Sequence, residues 1–297
     1  MKKKILILGG SGFLGKNLLV KLVRSRKYKI TSISNKTLKN SKKLKKISYI
    51  SCNINNYQKL IKKLKNKKFD FVINFSGNID HSDKKETFKA HFNGVKNIVK
   101  YIKLTKSGLL IQTGSSLEYG ENKSPQNEKQ ICKPLSVYGE AKLLSSKFII
   151  KNLNDFIILR PYQIYGPYQK KNRLIPIIID SCMKDLKFPC TQGNQKRDFL
   201  YVDDFIDLII KILGSKKINS GIFNVGSGKP IKVKKAILTI VKKIKKGIPM
   251  FGKLKMRKDE KNSLYPNLNK TKKTFKWRPK INFKTGISKT INFYKKK

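Results

Sequence analysis

The chain has 297 residues, 39% of them apolar and 10% aromatic, with 19 Gly and 10 Pro dispersed along it. That length leaves room for about two domains, and the composition excludes disordered and collagen-like chains. Lys and Arg number 69 against 17 Asp and Glu, a formal charge of +52. Only seven of the 69 are Arg and the lysines lie in nearly every segment, whereas phosphate and base readers concentrate Arg in a patch. No specific nucleic-acid partner is expected; the field should attract anionic ligands in a salt-sensitive way.

No apolar run approaches the ~20 residues that span a bilayer. The Lys2 to Lys4 start is followed by an apolar stretch too short for a secretory signal. A cytoplasmic protein with no membrane partner is therefore expected. Cys52, Cys132, Cys182 and Cys190 match no zinc or CxxC spacing and read as reduced thiols, with no metal site expected.

In chain order, short apolar runs at Ile5 to Leu8, Ile30 to Ile33, Ser48 to Ser51, Phe71 to Phe75, Leu109 to Thr113 and Phe156 to Leu159 read as strands. Between them, Asn17 to Lys27, Tyr57 to Lys65 and Thr87 to Leu104 carry apolar residues at helical spacing. In the last of these Phe88, Phe92, Val95, Val99 and Ile102 are expected on one face. Repeated strand-helix alternation predicts an α/β fold built on a doubly wound parallel sheet. After residue 160 the punctuation by Pro161, Gly166, Pro167, Pro176 and Pro189 predicts a loop-rich, smaller, interleaved C-terminal substrate lobe. The dinucleotide-binding part is expected over 1–165 plus about 198–226, and the substrate lobe over about 166–197 plus 227–297.

The first strand runs into Gly9-Gly10-Ser11-Gly12-Phe13-Leu14-Gly15 and then into a helix. Glycines there allow a tight turn, a close approach of backbone to a pyrophosphate and tight helix-strand packing. A helix N-terminus adds unpaired N–H groups and partial positive charge. A Rossmann-type site for NADP(H) or NAD(H) is expected, with Gly9, Gly12, Phe13, Leu14 and Gly15 around the phosphates. The second strand ends in Ser34, followed by Asn35 and Lys36, where an acid would grip the adenosine ribose. A hydroxyl beside a lysine suits a 2′-phosphate and favours NADP(H). Asn53, followed by Ile54, is placed to meet the adenine.

The fifth strand ends in Thr113-Gly114-Ser115-Ser116-Leu117-Glu118-Tyr119-Gly120, and Tyr138-Gly139-Glu140-Ala141-Lys142 follows at the start of a helical run. At i and i+4 the Tyr138 and Lys142 side chains share a helix face. Hydride transfer at a carbinol needs a proton moved on or off oxygen, and a free tyrosine, pKa about 10, is a poor base at neutral pH. Bringing it to neutrality takes about 4 kcal/mol, which is what one ammonium about 4 Å away supplies at an effective dielectric of about 20. Ser115, Tyr138 and Lys142 are the expected catalytic set, Tyr138 and Lys142 also touching the cofactor.

Together these residues resemble the extended short-chain dehydrogenase/reductase family of nucleotide-sugar epimerases, dehydratases and reductases. The resemblance extends through Leu159-Arg160-Pro161-Tyr162-Gln163-Ile164-Tyr165-Gly166-Pro167, through Arg197-Asp198-Phe199-Leu200-Tyr201-Val202-Asp203-Asp204, and through Phe223-Asn224-Val225-Gly226-Ser227-Gly228. It implies a nucleotide-diphosphate sugar as substrate, held at the diphosphate by Arg197 and Arg257 and also touched by Ser116 and Gln163, and a homodimer through the helical runs Ile98 to Leu104 and Ala141 to Ile150. It implies structural roles for Asp198, Asp203 and Asp204.

The chain departs from the family at Gln163 and His91, where Asn is usual. Leu117, preceded by Ser116, stands where dehydratases carry an acid, and Tyr168 to Arg173 supplies no histidine of the kind that C3/C5-epimerising reductases use. What remains is redox at one carbinol, C4. The C-terminal half looks most like 4-ketoreductases of the abequose synthase type, with a 4-epimerase holding NAD as the alternative. A non-catalytic dinucleotide-binding regulator on the same fold would be expected to lose Ser115, Tyr138 or Lys142.

Overall fold

The structure is a computed structural model that describes residues 1–78, 83–215, 219–256 and 260–296. Its first strands are β1 (Lys3–Leu8), β2 (Tyr28–Ser34), β3 (Ile47–Ser51), β4 (Phe71–Asn74), β5 (Leu109–Thr113) and β6 (Phe156–Pro161). With strand Gly221–Val225 they form one seven-stranded sheet. Its order is Gly221–Val225, β6, β5, β4, β1, β2, β3. The pairs from β6 to β3 are all parallel, with Ile5 opposite both Ile30 and Phe71. The order reverses on either side of β1, the hallmark of a doubly wound sheet whose ligands sit beyond the strand C-termini. All four residues of β4 are buried, as a central parallel strand covered on both faces requires.

Helices α1 (Phe13–Ser25), α2 (Tyr57–Leu64), α3 (Lys84–Phe88), α4 (Gly94–Thr105) and α5 (Val137–Asn152) connect these strands. The first starts four residues earlier than its apolar spacing suggests, because the glycine turn itself ends at Gly12, the N-cap. The expected helix from Thr87 to Leu104 is interrupted by a π-helical turn at Lys89–Asn93. An i→i+5 turn inserts one residue and rotates the face. Thr87 and His91 are therefore buried, while Phe88 and Phe92 are only half-buried.

The chain falls into two compact units, one of residues 1–121, 131–160 and 212–223, the other of residues 122–130, 161–211 and 224–297. The second carries helices Leu174–Met183, Val233–Ile244 and Phe283–Lys295 between its loops. Pro176 falls in the first turn of its helix, where the missing N–H costs nothing. Asp198 and Asp204 have the structural tasks implied for them. Asp198 accepts the N–H groups of Ser227 and Gly228, both at 2.6 Å, and Asp204 those of Lys280 and Ile281 at 3.0 and 2.9 Å. Among the described residues no helix is long and apolar enough to cross a membrane.

Candidate active site

The glycine turn is set by contacts that no side chain could share. Gly9 has φ +79°, and a Cβ there would stand 2.8 Å from the Phe75 carbonyl carbon; one on Gly15 would stand 2.4 Å from the Gly9 oxygen. At Gly12 the nearest atom would be the Gly9 oxygen at 3.2 Å. No side chain caps α1 and no acid lies in its first turn. The first helical bond is Lys16 N–H to the Gly12 carbonyl, 2.9 Å, so the N–H groups of Phe13, Leu14 and Gly15 stand ahead of the helix's own ladder. A Cβ-free cradle under an uncapped helix N-terminus fits a pyrophosphate.

At the end of β2, Ser34 is buried and its hydroxyl accepts the Ser11 N–H at 3.1 Å. Ser34, Lys36, Thr37, Lys43, Tyr49 and Ser51 line a small cavity beside it. Asn53 is exposed, its side-chain oxygen accepting the Asn55 N–H at 3.0 Å, while Ile54 packs under Gly94, whose Cβ would stand 2.7 Å from the Ile54 Cδ1.

The residues expected to be catalytic gather at the C-terminal end of β5. Ser115 caps the short helical turn Ser116–Glu118, its hydroxyl accepting the Leu117 N–H at 3.1 Å, which leaves the hydroxyl proton to donate elsewhere. Tyr138 lies in the first turn of α5, capped by Ser136. Gly139 lets that turn settle onto the backbone at Leu117, whose carbonyl oxygen would be 2.6 Å from a Cβ. Lys142 is buried, donates to the Thr113 carbonyl at 2.7 Å and has its Nζ 5.8 Å from the centre of the Tyr138 ring. Burial lowers the Lys142 pKa to about 8, the Glu118 carboxylate opposing the fall. The Glu118 carboxylate thus favours the ammonium, the form that would partner a phenolate. His91 packs its ring edge-on to Tyr138, centroids 4.8 Å apart, and its Nε2 lies 2.9 Å from the Asn78 carbonyl oxygen.

The expected substrate residues of the second unit lie apart in character. Gln163 is exposed, its N–H bonded to the Asp198 carbonyl. Arg197 is buried and paired with Glu260 at 2.7 Å, a second donor going to the Lys196 carbonyl. Arg257 lies outside the described residues. Ser116 is buried in the first unit.

One buried group beside these residues was not singled out from the sequence. Glu118 is fully buried and its carboxylate accepts the Ser115 N–H at 2.8 Å, while Arg160, Ser146 and Glu118 share one closed network. Its signal was present as Ser115-x-x-Glu118, the spacing of a capping box.

Residues 5–226 match the NAD dependent epimerase/dehydratase family. The chain belongs to that family. Its cofactor is a nicotinamide dinucleotide, and it is an enzyme of the nucleotide-sugar epimerase, dehydratase and reductase group. It is 28% identical over 309 residues to a putative UDP-glucose 4-epimerase of Methanocaldococcus jannaschii, covering 98% of each chain. It is 27% identical over 310 residues to a dTDP-4-dehydro-6-deoxyglucose reductase of Escherichia coli, covering 98% of this chain and 97% of that one. Its fold is that of the Bordetella bronchiseptica enzyme WbmG in complex with NAD and UDP, with a TM-score of 0.90 at 23% identity, covering 100% of this chain and 96% of that one.

Proposed function

We propose that the protein is a 4-ketoreductase of nucleotide-diphosphate (deoxy)hexoses that uses NADPH. The observation that carries the choice of reductase is the adenosine-ribose end of the cofactor turn. Among the described residues no carboxylate lines that cavity; Ser34 and the lysines Lys36 and Lys43 do, a setting that favours a 2′-phosphate over a bare hydroxyl. NADPH is the dinucleotide that a reductase consumes and exchanges.

The catalytic turn supports redox without elimination. Leu117, 42% exposed, holds the place of an acid, and the neighbouring Glu118 is wholly buried with both oxygens engaged. When bound, the dinucleotide supplies the hydride. Tyr138 delivers its phenolic proton to the C4 oxygen, Ser115 donates a hydrogen bond to that oxygen, and the Lys142 ammonium stabilises the phenolate that remains. Arg197 and Arg257 suit a diphosphate through their forked donors, so in this reading the diphosphate displaces Glu260 from Arg197. A homodimer is part of the proposal, supported by the exposed Leu104 and Ile150 on α4 and α5.

A second reading, a 4-epimerase that keeps NAD and reuses it, is favoured by the similarity to the archaeal putative epimerase. Denaturing the purified protein, identifying any released nucleotide and assaying NADPH oxidation with 4-keto-6-deoxy nucleotide sugars at controlled salt separates the two. The reductase is expected empty and consuming NADPH. Tightly held NAD without net NADPH use would replace it with the epimerase.

A further inference from the structure

We propose that Glu118 is a positioning residue: its buried carboxylate ties Ser115 to the helix that carries Tyr138 and Lys142, and so sets the geometry of the three reacting groups. The proposal rests on the assignment of those three groups and is indifferent to whether the enzyme reduces or epimerises.

Each oxygen of the carboxylate faces a different part of the site. One accepts the Ser115 N–H at 2.8 Å. The other accepts the Ser146 hydroxyl at 2.8 Å and two donors of Arg160, Nε at 2.9 Å and Nη2 at 2.7 Å. Tyr138, Lys142 and Ser146 follow one another at four-residue steps along α5 and share its inner face. The hydroxyl bonded to Glu118 is thus the next rung below the two catalytic side chains. Gly114 completes the fit, for a Cβ there would stand 2.5 Å from the Glu118 Oε1. A capping box alone would satisfy Ser115 from a solvated glutamate; this one is closed inside the protein and paired with a guanidinium that is itself 2% exposed. Charge-assisted hydrogen bonds of this kind are short and directional.

The charges around the pair are few. Arg160 faces Glu118 from β6 and also lies over the Tyr119 ring, 4.6 Å from its centre. The Cys132 thiol, pushed up by burial, stands near both Arg160 and Glu118. Lys142 faces Glu118 from α5, and His91 borders Tyr138 from the π-helical turn. Of these, Lys142 links position to pH. The Glu118 charge holds its ammonium against burial, so neutralising Glu118 makes that ammonium lose its proton at lower pH.

Glu118→Gln keeps the shape and removes the charge. Relative to the native enzyme, its kcat is expected to fall ten-fold or more while the dinucleotide Kd stays within two-fold. The alkaline limb of the kcat profile should move to lower pH. Native kcat and an unmoved limb would overturn the proposal. So would a loss of dinucleotide binding equal to the loss of kcat, the sign of a merely structural pair. Should Glu118→Gln fail to fold, Ser146→Ala decides. A threefold or greater fall in kcat at native dinucleotide affinity supports the tie, and an unchanged kcat refutes it. Tyr138→Phe runs alongside: if it retains turnover, the assignment of the reacting groups fails, whatever the Glu118 variants do. If the native enzyme turns over no nucleotide sugar, amide hydrogen exchange reads the tie instead. Faster exchange at Ser115 in Glu118→Gln, with the β1 amides unchanged, supports it, and unchanged exchange at Ser115 overturns it.

Discussion

Two strand ends of the same sheet solve opposite problems. At the end of β1, backbone donors stand ahead of an uncapped helix and the side chains that would crowd them are missing. At the end of β5, the Ser115 N–H, the Ser146 hydroxyl and the Arg160 guanidinium all donate to the buried Glu118 carboxylate. A turn that must take up an anion is specified by omission, through glycines and open N–H groups. A turn proposed to hold reacting groups still is specified by saturation, since a half-satisfied buried network costs more than none. The two should therefore fail differently when disturbed.

The largest effect belongs to the saturated end. Tyr138→Phe removes the hydroxyl proposed to carry the proton and leaves the ring's contact with His91, so turnover should fall by about 10²–10⁴, the usual worth of general acid–base catalysis. Dinucleotide binding should weaken far less than turnover falls and the melting temperature should remain native, which fluorescence titration and calorimetry would check. Arg160→Met comes next. It leaves the Glu118 carboxylate buried without its guanidinium partner, and breaking such a pair costs about 3–5 kcal/mol. Denaturant unfolding should report that loss; a change below about 1 kcal/mol, the worth of an exposed pair, would mean that water reaches the network.

The same contrast explains what could be read from the sequence. Strands β1 to β6 were legible to within two residues at their ends, because apolar runs bounded by turn residues carry their own signal. The glycine turn was legible because omission is visible in a string of letters. Tyr138 and Lys142 were legible through one helical step. The Glu118 network was not, since Arg160 lies 42 residues away and a lone glutamate in a motif does not announce what buries it. The π-helical turn at Lys89–Asn93 was equally hidden: one inserted residue leaves composition unchanged, yet it turned Phe88 and Phe92 partly outward and brought His91 against Tyr138. Prolines misled in the other direction, because Pro176 opens a helix rather than a loop.

The open end offers the smallest and most discriminating pair of variants. A Cβ at Gly15 would press on the Gly9 oxygen at 2.4 Å and the Gly10 Cα at 2.5 Å. Both are backbone atoms that no rotamer change can clear, so Gly15→Ala should cost about 1–3 kcal/mol as overpacking does. A Cβ at Gly12 would meet only the Gly9 oxygen at 3.2 Å, a contact relieved by a shift of a few tenths of an ångström. Gly12→Ala should leave the melting temperature nearly native and weaken dinucleotide binding, because the methyl group occupies ground that the pyrophosphate needs. Gly15→Ala should lower both. Equal stability losses in the two variants would mean that Gly12 serves packing, and the distinction between an end built by omission and one built by saturation would then lose its clearest residue.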